Sequence, residues 1–356
     1  MRLCIFIFFA TSLLAQTIQN SHTIENLRGL STPAPGVAWA SGTHGTYLRS
    51  TDAGNTWLPA QVPGAASLDF RDVEAFSANL AFLLAAGPGD QSRIYKTTDA
   101  GKTWFLQFTN TNPKGFFDCM GFWTPARGIA VGDPVNGKFE LITTADGGKN
   151  WKPIPPENLP SAITGEGAFA ASGTCITVQG KKNVWVATGG KSARVFRSTD
   201  AGKTWTVAET PVVHGADSAG IFSIAFRDSK HGVIAGGDYQ HPEKNGPNLA
   251  FTNDAGRTWT LAPISTQWYF SAVTFLSDHV GTAAQACPEP SRRGGHAGRG
   301  SAVFALGTAH AACADTNATK WQKIWDLNLN AVSVSPSGEV FAVGPKGLIV
   351  RFTPDR

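Results

Sequence analysis

Short apolar runs separated by turn residues recur along the whole chain. One representative stretch consists of Ile221–Phe226, Gly232–Asp238 and Asn248–Pro263, with polar and glycine-rich turns between the runs. Runs of this length and composition predict β-strands, and the third run predicts a hairpin. No long segment repeats its apolar positions every 3.6 residues, as a helix would. The pattern therefore predicts an all-β protein.

This unit of two strands and a hairpin occurs seven times. The units start near Leu27, Phe70, Phe116, Cys175, Ile221, Phe270 and Leu329. One such sheet cannot bury both of its faces alone, but sheets stacked around an axis can. We therefore predict a seven-bladed β-propeller. The last unit lacks room for a fourth strand, and we predict that residues Thr17–Ile24 supply that strand and close the ring.

An eight-residue pattern ends the third strand of most units. Its copies are Ser50–Trp57, Thr97–Trp104, Thr144–Trp151, Ser198–Trp205 and Thr252–Trp259, and a degenerate copy covers Asp315–Trp321. We expect the Asp to accept backbone N–H groups of its own turn and the Gly to supply a positive φ. The Thr before the Trp would donate to the Asp, and the Trp would cover the hairpin. The third copy has Asn150 instead of Thr, which predicts a looser turn there.

The octapeptide resembles the Asp box, or bacterial neuraminidase repeat. The resemblance implies a structural turn away from the working face, and thus no catalytic role for these residues. They are Asp52, Gly54, Trp57, Asp99, Gly101, Trp104, Asp146, Gly148, Trp151, Asp200, Gly202, Trp205, Asp254, Gly256 and Trp259. From Leu27 through the first box, the unit layout is similar to that of photosystem II stability/assembly factor-like propellers. That resemblance implies an exported binding or assembly platform.

The amino terminus predicts export. Arg2 precedes an apolar run, residues 3–14, which is too short to span a bilayer as a helix. We interpret residues 1–15 as a signal peptide cleaved near Ala15 and residues 16–356 as a single propeller domain without a transmembrane anchor. The mature chain would be periplasmic or extracellular, and we expect a monomer. Four cysteines would remain, and they permit three pairings. Two alternatives remain: a disulfide between Cys287 and Cys313, or four free thiols.

The charge pattern disfavours nucleic-acid binding. Only 16% of residues are charged, and the net charge of +4 comes mostly from the leader and from one segment, residues 286–302. No basic stripe remains on the blades, which excludes the usual phosphate-binding surface. The 286–302 segment is rich in Gly, Ala and Arg, and we predict a flexible inserted loop. We group it with the loops that join second to third strands.

Those loops and the connections between blades form the face where function is expected. The predicted binding residues are His44, Arg71, Arg93, Asp133, Lys138, Arg194, Asp238, Tyr239 and His241. The connections between blades add Asp69, Asp118, Glu166, His214, Asp217 and Tyr269. No spacing of His or Cys indicates a metal site, and no motif indicates a cofactor.

Two functions remain open. The first is a non-catalytic platform that binds another protein, or a cell-surface or carbohydrate ligand. The second is a glycoside hydrolase in which Asp133 and Asp238, at equivalent positions of two blades, act as the carboxylate pair. The simpler interpretation is that each Asp caps its own turn. A sialidase needs three arginines, a Tyr–Glu pair and an acidic Asp, and such a set cannot be aligned in this sequence. Whether the protein is an enzyme therefore stays open, and the platform is favoured.

Overall fold

The structure, a computed structural model, describes residues 15–263, 268–276, 302–308, 310–315 and 321–353. Its strands form seven antiparallel sheets, six with four strands in blade order and one with six strands, the four of its blade and two short additional ones. The first strands of neighbouring blades contact one another in a closed ring. The all-β, seven-bladed β-propeller predicted from the repeat is confirmed.

Blades 1 to 3 follow one another in the chain. Blade 1 contains β2 (Leu27–Ala34), β3 (Val37–Gly42), β4 (Thr46–Ser50) and β5 (Leu58–Gln61). Blade 2 contains β6 (Phe70–Ala75), β7 (Ala81–Ala85), β8 (Arg93–Thr97) and β9 (Phe105–Thr109), with a 3-10 turn at Gly89–Gln91. Blade 3 contains β10 (Phe117–Thr124), β11 (Arg127–Val135), β12 (Lys138–Thr144) and β13 (Lys152–Pro153), and a second 3-10 turn, Pro156–Asn158, follows it.

Blades 4 and 5 are linked by two extra short strands. Blade 4 contains β15 (Ile176–Gln179), β16 (Asn183–Ala187), β18 (Arg194–Ser198) and β19 (Thr206–Glu209). Blade 5 contains β20 (Ala219–Phe226), β21 (Gly232–Asp238), β22 (Leu249–Thr252) and β23 (Thr260–Leu261). The extra strands are β14 (Glu166–Gly167) and β17 (Gly189–Gly190). β14 pairs with β17, and β17 pairs with β20, so the blade 5 sheet extends over the end of blade 4.

Blades 6 and 7 complete the ring. Blade 6 contains β24 (Ala272–Leu276), β25 (Ala302–Gly307), β26 (His310–Asp315) and β27 (Trp321–Trp325). Blade 7 contains β28 (Ala331–Val334), β29 (Val340–Val343), β30 (Ile349–Thr353) and, from the other end of the chain, β1 (Ala15–Gln19). β1 pairs antiparallel with β30. Closure by an N-terminal strand is therefore confirmed, although the strand covers Ala15–Gln19 and not the predicted Thr17–Ile24.

The core consists of apolar layers between neighbouring blades. Trp39 and Tyr47 of blade 1, for example, pack with Phe70 and Leu83 of blade 2 in one buried cluster. Stacking thus removes from water the second apolar face that each sheet carries, which is the physical reason for the ring.

The five boxes make the same set of hydrogen bonds. In the first, the backbone N–H and the hydroxyl of Thr56 donate to the Asp52 carboxylate at 2.9 and 2.7 Å, and the N–H of Gly54 donates to the Ser50 hydroxyl at 2.9 Å. The box glycines also pack tightly: a Cβ on Gly54 would lie 2.5 Å from the Phe341 ring. The residue after each Asp has a left-handed φ, which is 59–69° for the four alanines and 72° for Gly147.

The third box is not looser than the others. The Asn150 side-chain amide donates to Asp146 at 2.7 Å, in the place of the Thr hydroxyl, and the Asn150 backbone N–H donates at 2.9 Å. These bonds lower the pKa of Asp146 to about 2. The expected loosening is wrong because an amide N–H reaches the same carboxylate oxygen. The degenerate copy at Asp315–Trp321 lies largely outside the described residues.

The inserted segment does not belong to the face on which we grouped it. β24 ends at Leu276 and β25 begins at Ala302, so the segment joins a first strand to a second strand. In an antiparallel sheet, that connection leaves at the same end as the boxes. Residues 286–301 themselves lie outside the described residues.

One disulfide links two neighbouring blades. Cys119 in β10 and Cys175, next to β15, are bonded and fully buried. Cys313 is also disulfide-bonded, and Cys287 lies outside the described residues. The alternative of four free thiols is therefore wrong.

Candidate functional site: the mouth of the central channel

β-Bulges place one residue of the first strand at the channel mouth, on the face opposite the boxes. The register of the first strand breaks at the same point in four blades, between Leu27 and Gly29 and at the equivalent pairs. The bulged residues are Arg28, Arg71, Asp118 and Phe222. A bulge turns a side chain away from the regular alternation of the strand. The sequence singled out Arg71 and Asp118 but missed Arg28 and Phe222. The position after the first large apolar residue of a unit identifies Arg28, Arg71 and Phe222, but not Asp118, which follows two such residues.

A six-residue segment, 168–173, crosses this mouth, and we call it the plug. Its Ala168 N–H donates to Asp133 of blade 3 at 2.9 Å, and its Ala170 carbonyl accepts the Arg71 guanidinium of blade 2 at 3.1 Å. The plug is therefore tied to the two blades that precede it in the chain.

The far side of the plug contacts blades 5 and 6. The Ser172 hydroxyl donates to the carbonyl of Ser271 at 2.9 Å. The Phe169 ring stacks on the Phe222 ring with 3.9 Å between centroids and 7° between planes. Since contacts reach blades on both sides of the axis, the plug covers the channel.

The mouth carries positive charge that only one paired carboxylate offsets. The Arg71 Nε donates to Asp69 at 2.8 Å, and both side chains are partly exposed. Arg28 and Arg71 occupy equivalent bulge positions of blades 1 and 2, whose first strands contact each other. Burial lowers the pKa of Arg28, and the charge of Arg71 lowers it further, whereas the charge of Asp69 raises it. Within the described part of the chain no carboxylate forms an ion pair with Arg28.

Two further carboxyl groups lie beneath the arginines. Asp118 is 2% exposed, and its Oδ2 has no hydrogen-bond partner among the described residues. Burial raises the pKa of Asp118 well above its usual value, and the charge of Asp133 adds to this effect. Burial also raises the pKa of Asp133. Because their charged forms are disfavoured, these groups cancel less of the charge of the arginines than their number suggests.

The channel below the plug holds Asp72 and Glu74, both on β6. Asp72 is buried and accepts the N–H of Met120 from the next blade at 2.7 Å. Burial raises the pKa of Asp72 well above its usual value and that of Glu74 to about 8. Glu74 keeps partial contact with solvent, so we expect a smaller energetic effect than full burial would give.

The raised pKa of Glu74 predicts that stability falls as pH rises. Between the unfolded pKa of about 4.3 and the folded pKa of about 8, the folded chain retains a proton that the unfolded chain has lost. Stability is therefore fully present below pH 4.3 and is lost as pH rises to 8. Glu74→Gln removes this dependence, and we expect it to stabilise the protein by roughly 1–2 kcal/mol at pH 8 and hardly at all at pH 5. Urea denaturation at both pH values measures the difference.

The control for that measurement is Glu157→Gln, at an exposed position. Equal gains for the two variants at pH 8, or a gain for Glu74→Gln that does not change with pH, would contradict the prediction.

The predicted binding residues do not all meet at the mouth. Arg71 and Asp133 do, and Tyr239 approaches it, with its ring 6.1 Å from that of Phe222. His44 pairs with Glu25 at 2.7 Å and Arg93 with Asp90 at 3.4 Å, each near its own blade loop. Lys138 donates to the carbonyl of Leu159 at 2.8 Å.

Arg194 is not available to a ligand. It is 8% exposed, and its Nε donates to Glu166 at 2.9 Å, while its Nη2 bonds the same carboxylate and the carbonyl of Ser161. Glu166 also accepts the hydroxyl of Thr188 and the N–H of Ile163. The structure does not support the expectation that Arg194 faces a ligand, because its Nε and Nη2 bond groups of the connection between blades 3 and 4.

Asp133 and Asp238 serve different loops. Asp238 accepts the N–H of Gln240 at 3.1 Å and pairs with His241 at 2.8 Å, which caps its own turn. Asp133 instead holds the plug, and its acidic neighbour is Asp118. No hydrogen bond joins Asp133 to Asp238 in the described part of the chain, and no local pattern indicates that the charge of Asp133 acts on Asp118.

Comparisons with known proteins agree with this fold. The chain is 26% identical over 269 residues to the photosystem II assembly lipoprotein Ycf48 of Synechococcus sp. (strain CC9902), covering 72% of this chain and 68% of that protein. It superimposes on YCF48 from Cyanidioschyzon merolae with a TM-score of 0.65 at 18% identity, covering 96% of this chain and 100% of the other. It superimposes on YCF48 bound to a D1 peptide with a TM-score of 0.62 at 14% identity, covering 98% of this chain and 97% of the other.

A protein with a different name superimposes equally well. A streptogramin B lyase has a TM-score of 0.65 at 12% identity, with 96% of this chain and 98% of the lyase covered. No family profile matches the chain. At these identities the solved structures establish the fold alone, whereas the match in sequence confirms the resemblance to photosystem II assembly factor-like propellers. No helix in the described residues is long and apolar enough to cross a membrane.

Proposed function

We propose that this protein is an exported, monomeric assembly factor that binds an acidic segment of a partner protein at the channel mouth. The observation that carries the proposal is the pair Arg28 and Arg71, at equivalent bulge positions of two blades whose first strands contact each other, with Asp69 paired to Arg71. A guanidinium without an ion-pair partner is well suited to a carboxylate, since the two groups match in geometry as well as in charge.

The relatives support a protein as the partner. One similar protein is a photosystem II assembly lipoprotein, and YCF48, which has the same fold, has been solved bound to a D1 peptide. Carboxylates of a partner segment would complete the ion pairs at the mouth, and the plug gives that segment a floor on which to lie. The apolar leader, residues 1–15, supports export. A soluble mature domain, residues 16–356, follows from the same proposal.

The arginines give the proposal a direct test. Arg28→Gln and Arg71→Gln should each weaken binding of a fluorescein-labelled decapeptide of alternating Glu and Ser by about tenfold, the loss of one charge-assisted hydrogen bond. Arg71→Gln should have the larger effect, because Arg71 also holds the plug. Fluorescence polarisation on the mature protein measures the affinity, which should fall as salt rises.

Lys102→Gln is the matched control, since it removes the same charge from an exposed box turn on the opposite face. It should change the affinity by less than twofold. In parallel, proteins captured from the exported fraction by the wild type should be absent from captures by Arg28→Gln. Equal losses for all three variants would show a general charge effect and would overturn the assignment of the site.

A further inference from the structure

We propose that the mouth recognises a two-part signal, a carboxylate beside a large apolar or aromatic side chain. The inference rests on the proposed function and adds the second half of the ligand. The structural basis is a cluster of four rings, Phe169, Phe222, Tyr239 and Tyr269, which we call the aromatic wall.

The wall is assembled from four separate segments. Phe169 lies in the plug, Phe222 is the bulged residue of β20, Tyr239 follows β21, and Tyr269 lies between blades 5 and 6. Phe222 is the centre, with stacked geometry to Phe169 at 3.9 Å and edge contacts to Tyr269 at 4.8 Å and to Tyr239 at 6.1 Å. The two edge contacts have the distances of favourable ring pairs and the stacked pair is closer, so the four rings pack as one cluster.

One side of the wall is open to solvent. Phe222 and Tyr269 are 2% and 6% exposed, whereas Tyr239 is 49% exposed and Phe169 is half-buried. The exposed ring of Tyr239 leaves apolar surface in contact with water, and an apolar side chain of a ligand that packs on it would bury that surface.

Two glycines leave room for the Phe169 ring of the wall. A Cβ on Gly189 would lie 2.2 Å from the Phe169 ring, and one on Gly220 would lie 3.1 Å from it. Gly220 also has a φ of 149°. Two glycines from β17 and β20 thus form the seat of the Phe169 ring, and neither position tolerates a side chain.

The wall and the arginines are contiguous. Phe169 precedes Ala170, whose carbonyl accepts the guanidinium of Arg71. On the other side, Tyr269 and Arg28 are close enough for each to affect the charge state of the other. Because Phe169 and the acceptor for Arg71 are consecutive residues of the plug, one short peptide can reach both the wall and the arginines. The positive charge beside the wall selects a carboxylate as the second group, and a short peptide that turns between the two side chains supplies both groups together.

Four fluorescein-labelled hexapeptides test the inference. They contain a central Glu-Phe, Glu-Ala, Gln-Phe or Gln-Ala pair between Ser and Gly residues, and they are titrated against the mature protein. We expect Glu-Phe to bind about five- to tenfold more tightly than Glu-Ala, and Gln-Phe to lose most of that affinity.

Variants at an exposed ring assign the effect. Tyr239→Ala should reduce the advantage of Glu-Phe over Glu-Ala to less than twofold. Tyr239→Phe should keep the advantage, since only the ring is needed. Lys102→Gln should behave as the wild type.

The outcomes separate the two proposals. If Glu-Phe and Glu-Ala bind equally and both depend on Arg28, the aromatic wall is not a subsite, and the proposed function stands. If no peptide binds, the proposed function fails and the inference fails with it. Binding of a neutral hexasaccharide that is lost in Tyr239→Ala, without any preference among peptides, would show that the wall holds sugars and would overturn the inference.

Discussion

Arg194→Met should lower the free energy of unfolding by about 3–5 kcal/mol, because it leaves a buried carboxylate without its cation. Glu166 is 5% exposed and takes two bonds from Arg194. The arginine also holds the carbonyl of Ser161 at 2.8 Å and lies over the Phe196 ring at 5.1 Å. The pair fixes the connection that leads into the plug, so peptide binding should weaken as well. Urea denaturation gives the change in stability.

Arg93→Met is the matched control. Arg93 and Arg194 both begin the third strand of a blade, and the sequence alone treats them alike. The partner of Arg93 is Asp90, 75% exposed, at 3.4 Å, and such surface pairs contribute about 0–1 kcal/mol. A double variant, Arg194→Met with Glu166→Gln, should recover part of the lost stability, because no unpaired charge remains. A loss below about 1 kcal/mol in Arg194→Met alone would contradict the buried pair as the main constraint.

Loss of the Cys119–Cys175 disulfide should cost about 4 kcal/mol, the second large effect. The bond closes a loop with a sequence separation of 56, and chain entropy in the unfolded state sets the magnitude. Cys119→Ala with Cys175→Ala should therefore lower Tm by roughly 5–8 °C. Because both residues are fully buried, a reductant should leave the folded protein unchanged and act only through the unfolded chain.

A comparison with and without reductant separates chain entropy from lost packing. In the wild type, a reductant added during urea denaturation removes the Cys119–Cys175 bond and the bond of Cys313. In the double alanine variant it removes only the latter. The difference between the two reductant effects should approach about 4 kcal/mol. A difference near zero would mean that the bond adds no constraint to the unfolded state.

These two constraints stand on either side of the plug. Glu166 precedes residues 168–173 by two positions, and Cys175 follows them by two. The chain is therefore fixed immediately before and after it crosses the mouth. We conclude that the segment that presents Phe169 and the acceptor for Arg71 is held at both ends, which is what a preformed binding surface requires.

The candidate site was only partly predictable. Arg71, Asp118 and Tyr269 were identified because the connections between blades lie on the working face of any propeller. Arg28 and Phe222 were missed because a bulge reverses which face a strand residue occupies, and a regular two-residue rhythm cannot show it. Arg194 was misjudged because its partner is 28 residues away in the chain. Asp133 was compared with Asp238 by position, whereas its neighbour in space is Asp118.

The sequence by itself determined the five box turns, the seven blades and the N-terminal strand that closes the ring. Each of these depends on bonds within a few residues or on a repeat that must stack to bury its apolar faces. Only the tertiary structure decided what the mouth of the channel looks like. Its contacts join residues such as Arg71 and Ala170, 99 positions apart. Such contacts depend on where the closed blades and the plug lie relative to the axis, and no local sequence pattern specifies that arrangement.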